Sequence, residues 1–279
     1  MLPDFLSFLA STKEEAISFL SAHSGAALLA GGTDLFIRMK KGEIHPCLVD
    51  ITRVPQFSAV AAENGHILIG ACATHRSIAT EPNIASFARS LSAACSWVGS
   101  PQIRNMGTIG GNIVNASPAA DSIPPLLIHD AILTIESEAG QKKVPLEKFI
   151  VAPYKTVIHE KEILSSIKID RLQGYQEGYK RVAKRAALAI SRLGIAWAFV
   201  ERDGTFLDVR LAIGSCTPMP FRATNVEAFL NGRKREKSVV EEAITLCLEE
   251  IRRISGERPS FVYKLPVVRD LLRNILGGR

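Results

Sequence analysis

The chain has 279 residues, of which 47% are hydrophobic and 22% are charged, and its formal net charge is +6. This length allows two domains with a sizeable core, and the composition excludes an intrinsically disordered protein. The N-terminal residues lack the basic region of a secretory signal, and acidic residues interrupt them before an apolar run reaches spanning length, so we expect a cytoplasmic protein without a membrane span.

The first half of the chain alternates helical and strand-like patterns. Thr12 and Glu15 form a capping box that predicts a helix over about 13–23, and the apolar run 26–30 before Gly31-Gly32 predicts a buried strand entering a tight loop. Further strands and helices are predicted at these segments: strands at 47–51, 67–71, 131–135 and 163–169, and helices at about 84–98 and 121–129. Such alternation is typical of an α/β or α+β domain.

The second half differs from the first in its pattern and is more basic. Two longer strand-like stretches, 190–201 and 207–214, are joined by Asp203-Gly204, which predicts a β-hairpin. Two amphipathic helices follow, over about 237–253 and 263–276. These elements predict a smaller α+β domain of antiparallel strands plus helices.

The domain boundary is predicted near Leu172-Gln173-Gly174, where a polar, glycine-containing stretch follows a strand. The predicted domains are therefore 1–172 and 173–279.

Metal and nucleic-acid binding are not expected. The five cysteines are widely scattered and form no CxxC pair, which argues against a zinc or iron–sulfur site: Cys47, Cys72, Cys95, Cys216 and Cys247. The basic residues are dispersed except for one short run in a predicted turn: Arg233, Lys234, Arg235 and Lys237. We interpret this run as a solvated surface and predict no nucleic-acid partner.

Two segments each place a Gly-Gly pair beside a threonine: Gly31-Gly32 before Thr33, and Gly110-Gly111 after Thr108. A diphosphate needs backbone N–H groups directed into a shared concavity, and glycine allows the necessary positive φ or close backbone approach. Each pair alone could also form an ordinary turn. Neither segment has the Rossmann or P-loop spacing, so any nucleotide site here uses another architecture.

Two further residues attract attention as candidates. Asp121 follows a segment of small residues and either caps the helix that begins at 122 or 123, or accepts hydrogen bonds from ribityl or ribose hydroxyls. His75 has no partner in the sequence that would indicate acid–base chemistry, so we expect it to be a surface or structural residue.

Several motifs, in one order, resemble the flavin subunit of the molybdenum hydroxylases, the family of xanthine dehydrogenase and carbon monoxide dehydrogenase. They are AGGTDL at 30–35, QIRNMGTIGGN at 102–112 and ASPAAD at 116–121, followed by Tyr154-Lys155-Thr156, Glu162-Ile163-Leu164, Tyr179-Lys180-Arg181, Gly214 and Pro218. The resemblance covers most of the chain. It implies an FAD-binding domain of the vanillyl-alcohol-oxidase type, made of two α/β parts, and a small C-terminal α+β domain.

The resemblance also implies which residues contact FAD. The two glycine segments would hold its pyrophosphate, Asp121 would contact the flavin, Leu164 would pack on it, and Lys180 would reach it from the second domain. The implied set is Leu28, Leu29, Ala30, Gly31, Gly32, Thr33, Asp34, Leu35, Thr108, Ile109, Gly110, Gly111, Asn112, Asp121, Leu164 and Lys180. Val98 stands where some relatives place a ring-stacking aromatic. No catalytic side chain and no metal ligand is implied.

The function that follows from the resemblance is electron transfer within a complex. A molybdenum-cofactor subunit would oxidise the substrate, and [2Fe–2S] clusters on another chain would relay electrons to FAD here, for delivery to NAD⁺ or another acceptor. A stand-alone flavin oxidoreductase and a regulatory or assembly protein that has lost the flavin are the alternatives. The substrate of the complex stays open among xanthine, carbon monoxide, nicotinate, an aldehyde and an aromatic thioester.

Overall fold

The computed structural model describes residues 2–185 and 190–278, so residues 1, 186–189 and 279 of the predicted domains lie outside the description. The N-terminal layer is a small parallel sheet. Its elements are β1 (Leu6–Leu9), α1 (Lys13–Ala22), β2 (Ala27–Leu29), α2 (Leu35–Lys40), β3 (Cys47–Asp50) and α3 (Pro55–Ser58). The strand order is β1-β3-β2, and both neighbours run parallel to β3. The predicted capping box is confirmed, because Thr12 accepts the N–H of Glu15 and the Glu15 carboxylate accepts the N–H of Thr12.

The second layer is an antiparallel sheet packed against helices. Its elements are β4 (Val60–Glu63), β5 (His66–Gly70), α4 (His75–Thr80), α5 (Pro82–Phe87), α6 (Arg89–Trp97), α7 (Pro101–Met106), α8 (Ile109–Asn115), α9 (Ile123–Ile128), β6 (Ile132–Ser137), β7 (Gly140–Pro145), α10 (Leu146–Phe149), β8 (Ile150–Ala152), β9 (Lys155–Thr156) and β10 (Ile163–Asp170). The strand order is β4-β5-β10-β6-β7. Buried residues of α4, α5, α6, α8 and α9 form one apolar core with the inward-facing residues of this sheet.

The predicted helix over 84–98 is wrong as a single element. Ala88 has φ −149° and ψ 54°, which ends α5 and lets α6 begin at the next residue. Ala88 is fully buried, so its break is part of the packed interior rather than a frayed end. The apolar pattern of the segment is continuous across the break, which is why the sequence predicted one helix.

The C-terminal layer is an antiparallel sheet and three helices: β11 (Gln176–Ala183), β12 (Ser191–Arg202), β13 (Thr205–Gly214), β14 (Phe221–Arg222), α11 (Thr224–Leu230), α12 (Lys237–Ser255) and α13 (Phe261–Leu276). The strand order follows the chain. The predicted hairpin is confirmed, and its turn residues Asp203 and Gly204 both have positive φ, as a tight two-residue hairpin turn requires. The two predicted amphipathic helices are α12 and α13.

The main apolar core crosses from the second layer into the C-terminal sheet. The same cluster contains buried residues of α4, α5, α6, α8 and α9 together with four residues of strands β11 to β13: Tyr179, Ala196, Ala198 and Ala212. A second core lies between the other face of the C-terminal sheet and α11 to α13. The α+β class, with a two-part N-terminal region and a small C-terminal unit, agrees with the fold predicted from the sequence.

No helix in the described ranges combines the length and apolar character needed to cross a bilayer.

Candidate functional site

A cavity of about 340 Å³ opens between the N-terminal layer and the second layer. Its walls come from the β2–α2 segment, the end of β5, the stretch from α6 to α8, and the segment that leads into β10. Cavities of a few hundred Å³ that are mostly apolar with a few directed polar groups are typical ligand sites. The predicted glycine segments meet in this cavity.

Close backbone approach at Gly31 brings the two glycine segments together. A Cβ on Gly31 would lie well inside van der Waals contact with the carbonyl oxygen of Met106, one residue before Gly107. The next residue, Gly32, has φ +67°, a conformation that favours glycine. The turn after β2 therefore depends on both glycines, for different reasons.

The first segment has backbone N–H groups without a hydrogen-bond partner in the described part of the chain, on residues that line the cavity. Within the described ranges, the N–H groups of Gly32, Thr33 and Asp34 have no hydrogen-bond acceptor, although all three residues line the cavity. Backbone N–H groups that lack a protein acceptor are available to an anion. The Thr33 side chain lies beside them on the same wall.

The second segment forms the start of a helix and not an ordinary turn. Thr108 is the N-cap of α8, its Oγ1 accepts the N–H of Gly111 at 3.1 Å, and its carbonyl accepts the N–H of Asn112 at 3.0 Å. The N–H of Gly110 is bonded to the Ala71 carbonyl at 2.8 Å. Neither glycine has a positive φ, so of the two expected reasons for glycine, positive φ does not apply at these two positions.

The glycines of the second segment serve close approach instead. A Cβ on Gly110 would lie 2.6 Å from the Ala71 Cβ, so this glycine allows α8 to pack on the end of β5. A Cβ on Gly111 would meet Thr108 Oγ1 at 2.9 Å and no other side chain of the described residues within 4 Å. Gly111 is exposed on the cavity wall, and its missing side chain leaves room for a ligand.

Most of the predicted contact residues line the cavity: Leu28, Ala30, Gly31, Gly32, Thr33, Asp34, Leu35, Thr108, Gly110, Gly111, Asn112 and Leu164. Val98 lies on the same wall. Leu29 instead packs with the small cluster around Leu48, because neighbouring strand residues face opposite sides. Ile109 is fully buried in the main core.

Asp121 and Lys180 do not line the cavity. The buried Asp121 carboxylate accepts hydrogen bonds from Tyr179 Oη at 2.6 Å, from Arg181 Nη1 at 3.0 Å and from Ser191 Oγ, all on the C-terminal sheet. It is not a helix cap either, because Ser122 is the N-cap of α9. Lys180 is exposed, on the face of β11 opposite to its two neighbours.

Two residues of the cavity wall that were not predicted to contact FAD, His75 and Cys72, are held in their neutral forms. His75, expected at the surface or in a structural role, is 2% exposed, and burial together with Arg104 lowers its pKa to about 4. Its Nδ1 lies 3.5 Å from Cys95 Sγ. Burial raises the pKa of the Cys72 thiol to about 12, with a smaller effect from Asp50. Neither side chain is charged near neutral pH.

Among the described residues, no group of three or more His, Cys, Asp or Glu side chains is placed to hold a metal ion.

Comparison with protein families gives two matches that together span nearly the whole chain. Residues 3–171 match the FAD binding domain in molybdopterin dehydrogenase, and residues 178–277 match the CO dehydrogenase flavoprotein C-terminal domain.

Individual relatives agree with these matches. The xanthine dehydrogenase FAD-binding subunit of Escherichia coli O157:H7 is 31% identical over 279 residues, covering 98% of this chain and 96% of the relative. The glyceraldehyde dehydrogenase medium chain of Sulfolobus acidocaldarius is 31% identical over 273 residues, covering 96% of each chain. Among solved structures, a chain of carbon monoxide dehydrogenase from Hydrogenophaga pseudoflava superimposes with a TM-score of 0.90 at 26% identity, covering 98% of this chain and 96% of that one.

Proposed function

The chain belongs to the FAD-binding medium subunits of the molybdenum hydroxylase family, and from that membership we propose that it receives electrons from [2Fe–2S] clusters on a partner chain and passes them to NAD⁺ or another acceptor. A molybdenum-cofactor large subunit and an iron–sulfur small subunit are the proposed partners. FAD, when bound, supplies the redox chemistry, because flavin exchanges electrons singly or in pairs. The task of the protein residues is to bind and orient it.

We propose that the first glycine segment holds the FAD diphosphate. The observation that carries this proposal is the set of unpartnered N–H groups at Gly32, Thr33 and Asp34, which lie on the cavity wall. These groups can donate hydrogen bonds to phosphate oxygens without breaking a bond in the protein. Gly111 supports the fit by leaving open space on the facing wall.

The remaining predicted contacts divide into two groups. Leu164 is buried on the cavity wall, which supports its proposed packing against the cofactor. Asp121 acts, in our proposal, through Tyr179 and Arg181, by holding the C-terminal sheet against the cofactor domain. A direct contact from Lys180 stays a prediction, which the FAD-bound structure would test.

A domain boundary near Leu172 and a cytoplasmic location complete the proposal. The two family matches leave residues 172–177 between them, which supports a boundary there. All five cysteines are free thiols, and unpaired cysteines are typical of proteins in a reducing compartment.

The test of the proposed electron path uses the native complex, with and without its flavin. We expect NADH, added without oxygen, to bleach the iron–sulfur absorbance of the intact complex and to leave that of the flavin-depleted complex unchanged. If the acceptor is not NAD⁺, a reduced quinone should replace NADH in the same experiment. Equal bleaching with and without flavin would show that electrons do not pass through this subunit.

A further inference from the structure

The cavity wall carries more negative than positive side chains. Asp34, Glu160 and Glu162 line it, and Arg38 is the sole lysine or arginine among the described residues of the lining. An FAD diphosphate adds two negative charges, which are unfavourable beside carboxylates in a partly enclosed site. A cationic side chain on the wall would offset this repulsion, and Arg38 is available there.

Two of these carboxylates, Glu160 and Glu162, already accept hydrogen bonds from other groups of the protein. Burial raises the pKa of Glu162, but hydrogen bonds from Lys142 and from the His159 N–H outweigh this effect and leave the pKa below its ordinary value. Glu162 is thus ionised and already paired with Lys142. The Glu160 carboxylate accepts the N–H of Gly25.

Arg38 is held in place by two contacts and keeps part of its guanidinium free. Its Nε donates to Glu43 Oε2 at 2.8 Å, and its Nη1 donates to Asn115 Oδ1 at 3.2 Å. Its Nη2 has no partner within the described ranges. Because Asn115 ends α8 and Arg38 lies on α2, the side chain bridges the helix that follows the first glycine segment and the helix that contains the second.

We propose that Arg38 is the cation that binds the FAD diphosphate and that it makes the site selective for phosphorylated flavins over riboflavin. The inference rests on the proposed function, because it assumes that FAD occupies this cavity. A planar guanidinium donates parallel hydrogen bonds to phosphate oxygens, and charge-assisted bonds of this type are stronger than neutral ones. Arg38 complements the neutral N–H groups of the first glycine segment.

The competing explanation is that Arg38 only braces the loop between α2 and β3. Its side chain is 47% exposed and that of Glu43 is 35% exposed, and ion pairs of such exposure contribute little to stability. Glu43 also accepts from His45 Nε2 at 2.8 Å, so it keeps a partner when Arg38 is removed. The two explanations differ when Glu43 is replaced: bracing predicts weaker FAD binding, and diphosphate binding by Arg38 predicts no loss of affinity.

The experiment is a titration of the full chain, freed of flavin, with FAD and with riboflavin at low and high salt. Flavin fluorescence gives the Kd for the parent and for Arg38→Gln, Glu43→Gln and Lys40→Gln. Lys40 is the matched control, because it is an exposed cation on the same helix that does not line the cavity. Urea unfolding of each variant confirms that it is folded.

We expect Arg38→Gln to weaken FAD binding about tenfold to a hundredfold, to reduce its salt dependence and to change riboflavin binding by less than about twofold. Glu43→Gln should leave FAD binding equal or tighter, since it removes a carboxylate that neutralises Arg38. Lys40→Gln should match the parent.

Unchanged FAD affinity and salt dependence in Arg38→Gln would overturn the inference while leaving the proposed function intact. Equal losses of affinity in Arg38→Gln and Glu43→Gln would instead support the bracing role and also overturn it. If the folded parent itself bound no FAD, the proposed function would fail first, and the two failures are therefore distinguishable.

Discussion

Individual glycines and buried side chains explain most of the site at the residue scale. Gly31 permits contact with the Met106 backbone, Gly32 adopts positive φ, Gly110 packs on Ala71, and Gly111 leaves space in the cavity. Of these four glycines, only Gly111 would place a Cβ in the open cavity, with Thr108 Oγ1 as its one near neighbour among the described residues. Substitutions at these positions should therefore separate folding defects from binding defects.

Gly111→Val should abolish FAD binding in a chain that still folds. The valine side chain would fill the cavity wall, and it would crowd Thr108 Oγ1, the acceptor that begins α8. Backbone strain is not the cause, because φ at this position is negative. Flavin titration together with circular dichroism measures both effects, and a folded variant that binds FAD as tightly as the parent would show that this wall does not face the cofactor.

The matched control is Gly204→Ala in the hairpin turn. Gly204 has φ +69° and open space around its Cα, so the substitution should cost about 1 kcal/mol in the free energy of unfolding without altering flavin affinity. A loss of flavin in this variant would mean that stability alone controls cofactor retention.

The buried His75 should make stability fall in mild acid. Its pKa is lowered to about 4 in the folded chain from 6.5 in the unfolded chain, so the unfolded state binds the proton more readily. Its contribution is fully present above pH 6.5 and is lost as the pH falls toward 4. His75→Gln should lose of order 1–3 kcal/mol less unfolding free energy than the parent between pH 7.5 and pH 4.5, by urea denaturation.

Whether a residue of the site could be predicted from the sequence depends on how near in the sequence its interacting residues lie. Gly31, Gly32 and Gly111 were found because a glycine pair beside a threonine is visible in a short segment. Arg38 was not predicted to line the cavity, and His75 was expected to be a surface or structural residue, because each meets the other cavity residues only after distant elements pack together. Spacing within one segment carries no information about such contacts.

At the element scale, side chains of the C-terminal sheet cap helices of the second layer. Glu177 on β11 accepts the N–H groups of Arg89 and Ser90 at the start of α6, where Ala88 offers no side-chain cap. At the end of α9, Arg210 donates to the Ile128 carbonyl and to Asp130. These contacts complement the helix ends with charges of the favourable sign.

The Asp130 carboxylate is shared between two arginines. Arg222 donates to Asp130 at 2.8 Å and to the Leu127 carbonyl at 3.1 Å, and thus joins the same helix end to β14. The contact between the end of α9 and the C-terminal sheet therefore does not depend on a single ion pair.

Glu177→Ala should strongly destabilise the whole chain, by about 3–5 kcal/mol, because it removes a buried carboxylate that accepts from the start of α6 and contacts His129 Nε2. Glu177 and His129 are 2% and 0% exposed, and His129 Nε2 lies 2.9 Å from the carboxylate. Burial raises the pKa of Glu177, but His129 and Ser90 outweigh it and hold the pKa below its ordinary value. Urea unfolding measures the change, and exposed Glu249→Ala is the control; a cost below about 1 kcal/mol would contradict the capping role.

Elements with local signals were predicted well, and those that depend on distant contacts were not. The capping box of α1 and the hairpin turn at Asp203 were predicted, because each lies within a few residues. The break between α5 and α6 was missed, because Glu177, which caps α6, is distant in sequence. Strand β1 was missed because it is a short, largely exposed edge strand.

At the scale of the whole molecule, the shared core predicts one cooperative unit in place of two independent domains. Helices of the second layer and alanines of the C-terminal sheet, such as Ala196 and Ala212, are buried in one cluster. Residues 173–279 alone would expose this apolar face to water. The sequence pattern changes where the topology of the chain changes, and two domains were predicted from that change. The pattern carries no information about how the two parts pack against each other.

The two tryptophans allow this cooperativity to be measured, because Trp97 ends α6 and Trp197 lies on β12. Trp97→Phe and Trp197→Phe each leave one reporter. We expect the fluorescence transition of each variant to coincide with its own circular dichroism transition in urea. A fluorescence midpoint displaced from the circular dichroism midpoint in either variant would show that the two parts unfold separately.

The flavin and metal content of the native complex, purified through a tag on this chain, tests the central claim most directly. We predict one non-covalent FAD for each copy of this chain, with iron and molybdenum carried by the partner subunits and lost when they are removed. A folded, full-length chain that stays in its native complex but contains no FAD would contradict the account.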